Sequence, residues 1–133
     1  MALVFVYGTL TDRETAESVL PAVEYRGDAT LHGLHRVDGR YPTLAPGGET
    51  AGRLLETDHL DALDRYEGVG DGLYVRLSVP TDSGDEAVET YVGDPDRLGA
   101  DVDWPPGDPF PECVRSHVAS SDVHVARGRS SGG

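Results

Sequence analysis

Leu3-Val4-Phe5-Val6-Tyr7-Gly8-Thr9-Leu10 reads as a strand that stops on a glycine. Leu3 to Tyr7 is apolar or aromatic throughout and rich in strand formers, the pattern of a short buried β-strand. After Gly8, Thr11-Asp12-Arg13-Glu14 has the capping-box spacing of a helix start. Ala16, Val19 and Leu20 give that helix one apolar face, and Pro21 ends it. A strand that turns through glycine into a helix leaves backbone N–H groups converging beside a positive helix end. A carboxylate or a developing oxyanion fits there, and Gly8 lets a ligand approach the backbone closely. Taken alone, the commoner reading of such a turn is an ordinary connector. One glycine is too few for a dinucleotide fingerprint, and no Gly-Lys-Ser/Thr follows as a nucleotide P-loop requires.

Outward from this stretch, Thr30 to Val37 and Thr50 to Glu56 read as strands, with the Gly- and Pro-rich segment from Gly39 to Gly48 as a loop between them. Asp58 is placed to cap a second helix running through Tyr66, with Gly68 as its stop. Leu73 to Pro80 and Glu86 to Val92 form a hairpin around Thr81-Asp82-Ser83-Gly84-Asp85. Asp94 to Pro111 reads as irregular, anchored by Trp104. Val114 to Val125 fits either a last strand or a last helix. Residues 1–126 are expected to form one domain, and 127–133 a flexible tail.

The second helix carries an anomaly. Leu60, Leu63 and Glu67 share one helical face, because Glu67 follows Leu60 by seven residues. An acid therefore stands where an apolar residue belongs. Partial burial and the negative end of the helix dipole both raise a carboxyl pKa toward neutrality, which suits a general acid/base. A solvated Glu at a frayed helix end explains the same residue equally well.

Other constellations are less pointed. Tyr74 and Arg76 share a strand face and Tyr91 lies on the neighbouring strand. Their hydroxyls either line a pocket or, more commonly, are satisfied inside a core. His32, His35, His59, His117 and His124 match no zinc-ligand spacing, so no metal site is expected. Cys113 sits in a Pro-rich stretch with nothing nearby in sequence to lower its pKa, and reads as an inert thiol. No Ser occupies a Gly-x-Ser-x-Gly elbow.

Composition bounds the function. The chain has 133 residues with 24 acidic and 11 basic ones, a formal charge of −13, and every basic residue is arginine. So acidic a surface is repelled by phosphate backbones and anionic lipid, which argues against nucleic-acid and membrane-surface partners. Carboxylates without lysine suggest adaptation to concentrated salt, where screening removes most self-repulsion. A single cysteine and the lack of a charged leader ahead of a long apolar run point to the cytoplasm.

Taken together, the pieces resemble the γ-glutamylcyclotransferase-like family, including its plant avirulence-induced (AIG2-like) and γ-glutamylamine cyclotransferase branches. Tyr7-Gly8-Thr9-Leu10 after an N-terminal strand is similar to the family's Tyr-Gly-Ser/Thr-Leu signature. Tyr41-Pro42 resembles its aromatic-proline step, and Gly52-Arg53-Leu54-Leu55 its glycine-led strand. Leu60-Asp61 through Tyr66-Glu67-Gly68 and Tyr74-Val75-Arg76 is similar to its Leu-Asp…Glu-Gly…Tyr-x-Arg block. The resemblance spans about residues 3 to 92, in family order.

The resemblance implies an α+β fold, a mixed β-barrel with flanking helices, enclosing a cofactor-free pocket. It implies Glu67 as the catalytic glutamate, Tyr7, Gly8, Thr9 and Leu10 as the cradle of a small γ-glutamyl ligand, and Tyr41, Tyr74 and Tyr91 at the pocket. The leading expectation is an enzyme that cyclises a γ-glutamyl amine or amino acid to 5-oxoproline. A non-catalytic small-molecule binding module on the same scaffold is the alternative, and a structural or interaction protein a third. The amine and the oligomeric state are left open.

Overall fold

The computed structural model describes residues 2–21, 23–38, 43–81, 87–94, 98–99, 110–120 and 123–127. In chain order these give β1 (Ala2–Val6), α1 (Arg13–Val19), β2 (Glu24–Val37), β3 (Thr43–Thr57) and α2 (Leu60–Glu67). There follow β4 (Tyr74–Pro80), β5 (Ala87–Gly93), α3 (Phe110–Ser120) and β6 (His124–Arg127). Short 3₁₀ turns cover Thr9–Thr11 and Val69–Asp71.

The six strands form one sheet in the order β4-β5-β1-β3-β2-β6. β1 lies in its middle, antiparallel to β3 with Val4 opposite Leu55, and parallel to β5 with Val4 opposite Glu89. The other neighbours are antiparallel. Thr81, just past β4, makes a parallel bridge to Val125 in β6. The two ends of the sheet therefore meet, and the sheet curls into a mixed half-barrel.

Strand alternation divides the core in two. Phe5 and Tyr7 from β1 and its exit, Leu54 from β3, Leu77 and Val79 from β4 and Val88 and Val92 from β5 point into the curl. There they meet Val125 of β6 and Val114 of α3. Val4, Val6, Leu55, Tyr74 and Tyr91 point the other way, against Ala16 and Leu20 around α1 and Leu63 of α2. Gly52 sits opposite this packing with no room for a side chain. A Cβ there would meet the Val6 carbonyl oxygen and lie 2.6 Å from Phe5 Cζ. The glycine-led strand is thus a close approach of β3 to β1.

The mixed curled sheet with flanking helices is as expected, and the hairpin of β4 and β5 holds in register from Tyr74–Gly93 to Pro80–Ala87. Several boundaries differ. Thr43 to Gly48 belong to β3 rather than to a loop, because β2 and β3 pair well beyond Thr30 and Thr50, out to Val37–Thr43. Asp12, not Thr11, caps α1: its Oδ2 accepts from the Thr15 amide at 3.1 Å. His59 rather than Asp58 occupies the N-cap position of α2, and the His59 side chain makes no capping bond. Val114 to Val125 supplies both alternatives, since α3 runs to Ser120 and β6 starts at His124. α3 begins at Phe110, inside the stretch read as irregular. Arg127 closes β6 and is not part of a tail. Trp104, most of the hairpin turn and residues 128–133 lie outside the described residues. Among the described residues no helix is long and apolar enough to cross a membrane.

Candidate functional site

α2 ends where the sequence reading puts its most unusual residue. Leu63 is fully buried against the sheet, and Glu67 follows one turn later as the last helical residue. Gly68 stops the helix in the left-handed conformation at φ 71°, where its N–H reaches back to the carbonyls of Arg65 and Asp64. The Gly68 carbonyl in turn accepts from Leu73 N at 3.0 Å, so the chain reverses directly into β4. This reversal brings Glu67 beside the first residues of β4.

Glu67 opens into a cavity of about 270 Å³, whose other walls include Tyr7, Gly8, Leu10, Tyr66, Tyr74 and Tyr91. Phe5, Val6 and Leu73 complete its apolar floor. The Glu67 carboxyl is half-buried, and burial pushes its pKa up to about 7. The physical reason is that a carboxylate loses hydration there, with no cation or donor among the described residues to offset the loss.

The tyrosines are held by bonds that reach across the fold. Tyr7 Oη donates to the Tyr91 carbonyl oxygen at 2.5 Å, and Tyr91 Oη donates to Asp64 Oδ1 at 2.8 Å. Asp64 Oδ2 pairs with Arg76 Nη1 at 3.3 Å, and Arg76 Nε lies 3.5 Å from Glu89 Oε1. Burial raises the pKa of both phenols. The charges of Tyr74 and Glu67 add to the effect at Tyr7; at Tyr91 the Asp64 bond and charge do so, with Glu67 contributing. Both hydroxyls therefore stay protonated at neutral pH and serve as donors.

The glycine turn forms the facing wall. Gly8 does not take a positive φ, so its contribution is the missing side chain where it lines the cavity. The turn's carbonyls face partners of their own. Tyr7 O accepts from Arg36 Nη1 at 3.2 Å, Gly8 O from Thr11 N and Oγ1, Leu10 O from Tyr25 Oη at 2.6 Å and Thr11 O from Arg53 Nη1 at 3.0 Å. Among the described residues, no backbone carbonyl outside the regular elements accepts from the amides of Gly8, Thr9 or Leu10. The glycine turn lines one wall and a carboxyl with a raised pKa another, a set suited to binding an anion and moving protons.

Of the residues singled out from sequence, Tyr7, Gly8, Leu10, Glu67, Tyr74 and Tyr91 come together around this cavity. Thr9 belongs to the turn. Tyr41 lies outside the described residues. Tyr66, Leu73 and Asp64 were missed. Asp64 was legible in principle: it follows Leu60 by four residues and so shares the inward face. Arg36 and Tyr25 left no local signal, because each reaches its partner over at least fifteen residues of chain.

Residues 4–108 match the model of the family described as gamma-glutamyl cyclotransferase, AIG2-like. The chain is 37% identical to AIG2-like protein C of Arabidopsis thaliana over 108 residues, covering 71% of this chain and 63% of that protein. It is 35% identical to AIG2-like protein D of the same plant over 116 residues, 74% of each chain. The chain thus spans less than two thirds of the first of these relatives and about three quarters of the second. Its fold resembles a solved gamma-glutamyl cyclotransferase with a TM-score of 0.58 and 17% identity, covering 87% of this chain and 97% of the other.

Proposed function

Because the chain belongs to the gamma-glutamyl cyclotransferase, AIG2-like family, we propose that it cyclises a γ-glutamyl amine or amino acid to 5-oxoproline, with Glu67 as general acid/base. One observation carries this reading. Glu67, its pKa pushed up to about 7, lines the same small cavity as Tyr7, Gly8 and Leu10 of the turn. A carboxyl poised near neutrality both accepts and returns a proton at little cost.

In the proposed reaction the α-amino nitrogen of the γ-glutamyl group attacks its own γ-carbonyl carbon. The new C–N bond closes a five-membered lactam as the original amide C–N bond breaks. In becoming the lactam N–H the α-ammonium gives up two protons, and the departing amine takes up two in leaving as an ammonium; Glu67 relays them one after the other, so charge and protons balance. Nucleophile and electrophile share one molecule, so no cofactor is required and the site's main task is to hold the curled conformer. The amides of Gly8, Thr9 and Leu10 supply donors for the substrate carboxylate or the oxyanion. At about 270 Å³ the cavity falls just below the range of about 300–1,000 Å³ typical of drug-sized ligands. That suits a γ-glutamyl group whose amine extends toward solvent.

The test is 5-oxoproline release from a panel of γ-glutamyl amines and amino acids, run in molar salt, with Glu67→Gln beside the wild type. Gln keeps the size but cannot shuttle a proton, so turnover is expected to fall at least ~10²-fold with binding changed only a few-fold. Near-normal turnover in Glu67→Gln would remove the assignment. Binding of 5-oxoproline without turnover of any compound would favour a binding module.

A further inference from the structure

We propose that Arg36, which does not line the cavity, is a positioning residue that aims the Gly8 amide at the ligand by holding the Tyr7 carbonyl from behind. The proposal rests on the reading of the Tyr7–Leu10 turn as the ligand cradle. It begins with peptide geometry. The C=O of one residue and the N–H of the next lie in one plane and point in opposite directions. Whatever fixes the carbonyl of Tyr7 therefore fixes the amide of Gly8.

Arg36 Nη1 donates to Tyr7 O at 3.2 Å, from β2 across 29 residues of chain. The same guanidinium is steadied by Asp38, whose Oδ1 lies 3.3 Å from Nε. Next along the turn, Gly8 O is held by the Thr11 amide at 3.1 Å and the Thr11 hydroxyl at 2.7 Å, which sets the Thr9 amide. The exit of the turn is pinned by Tyr25 Oη on Leu10 O and Arg53 Nη1 on Thr11 O, with Arg53 stacked 4.2 Å over the Tyr25 ring. Four carbonyls of the turn are thus engaged outside the cavity. Among the described residues, no backbone carbonyl outside the regular elements accepts from the amides of Gly8, Thr9 or Leu10. A turn free to rotate would spend part of its time presenting a carbonyl, which repels an anion.

Arg36 adds more than restraint. A guanidinium on a carbonyl oxygen polarises the whole peptide group, so the N–H at its other end becomes a stronger donor. Arg36 is absent from the cavity walls, so this influence passes through the Tyr7–Gly8 peptide and not through contact with the ligand.

The experiment compares wild type, Arg36→Met and Arg36→Lys by amide proton–nitrogen spectra of the full chain, with 5-oxoproline as the probe. Arg36 has a side chain 46% exposed, and Arg36→Met is expected to fold. In the ligand-free protein the Gly8 amide proton should move upfield in Arg36→Met while Thr9 stays near its wild-type position. The affinity for 5-oxoproline should fall ~10-fold, and the ratio should persist in high salt, because a bond through the peptide is not screened as a distant charge is. Arg36→Lys keeps the charge and a donor, and should recover most of the loss. An unmoved Gly8 amide in folded Arg36→Met overturns the proposal, as does a moved amide with unchanged affinity. If the wild type itself does not bind 5-oxoproline, the cyclotransferase reading fails, and the Gly8 amide shift alone decides the role of Arg36.

Discussion

Tyr91 Oη donates to Asp64 Oδ1 at 2.8 Å, which ties the centre of β5 to the helix that ends in Glu67. The bond sets the depth at which α2 lies on the sheet and so helps to place the catalytic candidate three residues on. Arg76, directly opposite Tyr91 in the hairpin, holds the other oxygen of the same carboxylate. Replacing Tyr91 by Phe and Asp64 by Asn, singly and together, should reveal a coupling of about 1–2 kcal/mol in urea unfolding. Additive effects would mean that the two groups do not cooperate in solution.

The raised pKa of Glu67 has consequences of opposite sign for activity and stability. A general base must start ionised, so kcat/KM should fall as pH drops through about 7, well above the usual 4.5 of a glutamate. A plateau persisting down to pH 5 would exclude Glu67 as the base.

For stability, the folded protein holds the Glu67 proton up to about 7 while the unfolded chain releases it near 4.5. Below 4.5 both states are protonated and no penalty exists. Between the two values stability declines as pH rises, and above 7 the full cost applies. Glu67→Gln cannot ionise, so at pH 8 it should be more stable than wild type by roughly 1–3 kcal/mol, less than the whole shift because the group is partly exposed. At pH 4 the two should match. Urea titrations of both proteins at the two pH values measure this difference directly. A constant gap between them would show that Glu67 titrates normally.

Gly8 lines the cavity without needing a positive φ, so a side chain there is predicted to fill space rather than strain the turn. Gly8→Val should reduce 5-oxoproline affinity by at least ~10-fold while shifting the melting temperature by only a few degrees. Full affinity in the folded variant would reduce the turn to a connector.

Charge leads to a prediction about the medium. With a formal charge of −13 and arginine as its sole basic residue type, the chain is expected to gain stability as potassium chloride rises from low to molar concentration. Screening should relieve carboxylate repulsion around the fold. Thermal unfolding across that range tests it, and a flat or falling midpoint would dissociate the composition from salt adaptation.

Much of this protein was legible along the chain, for reasons that are local. Apolar runs and turn residues marked β1, the hairpin of β4 and β5, and the Gly68 stop of α2, because burial of alternating or helical faces leaves its period in the sequence. The same periodicity exposed Glu67 as an acid on an apolar face. The lengths of β2 and β3 were not legible. Gly- and Pro-rich residues from Thr43 to Gly48 look like a loop until their pairing with β2, out to Val37, overrides local preference. What only the tertiary structure decided is the company that each site residue keeps. The curl of the sheet and the reversal at Gly68 bring residue 7 and residue 67 to one cavity. Contacts such as Tyr7 with Tyr91, separated by 84 residues, and Arg36 with Tyr7 depend on strand order rather than on spacing. Sequence could nominate the carboxyl, but its pKa near 7 comes from the walls that exclude water around it.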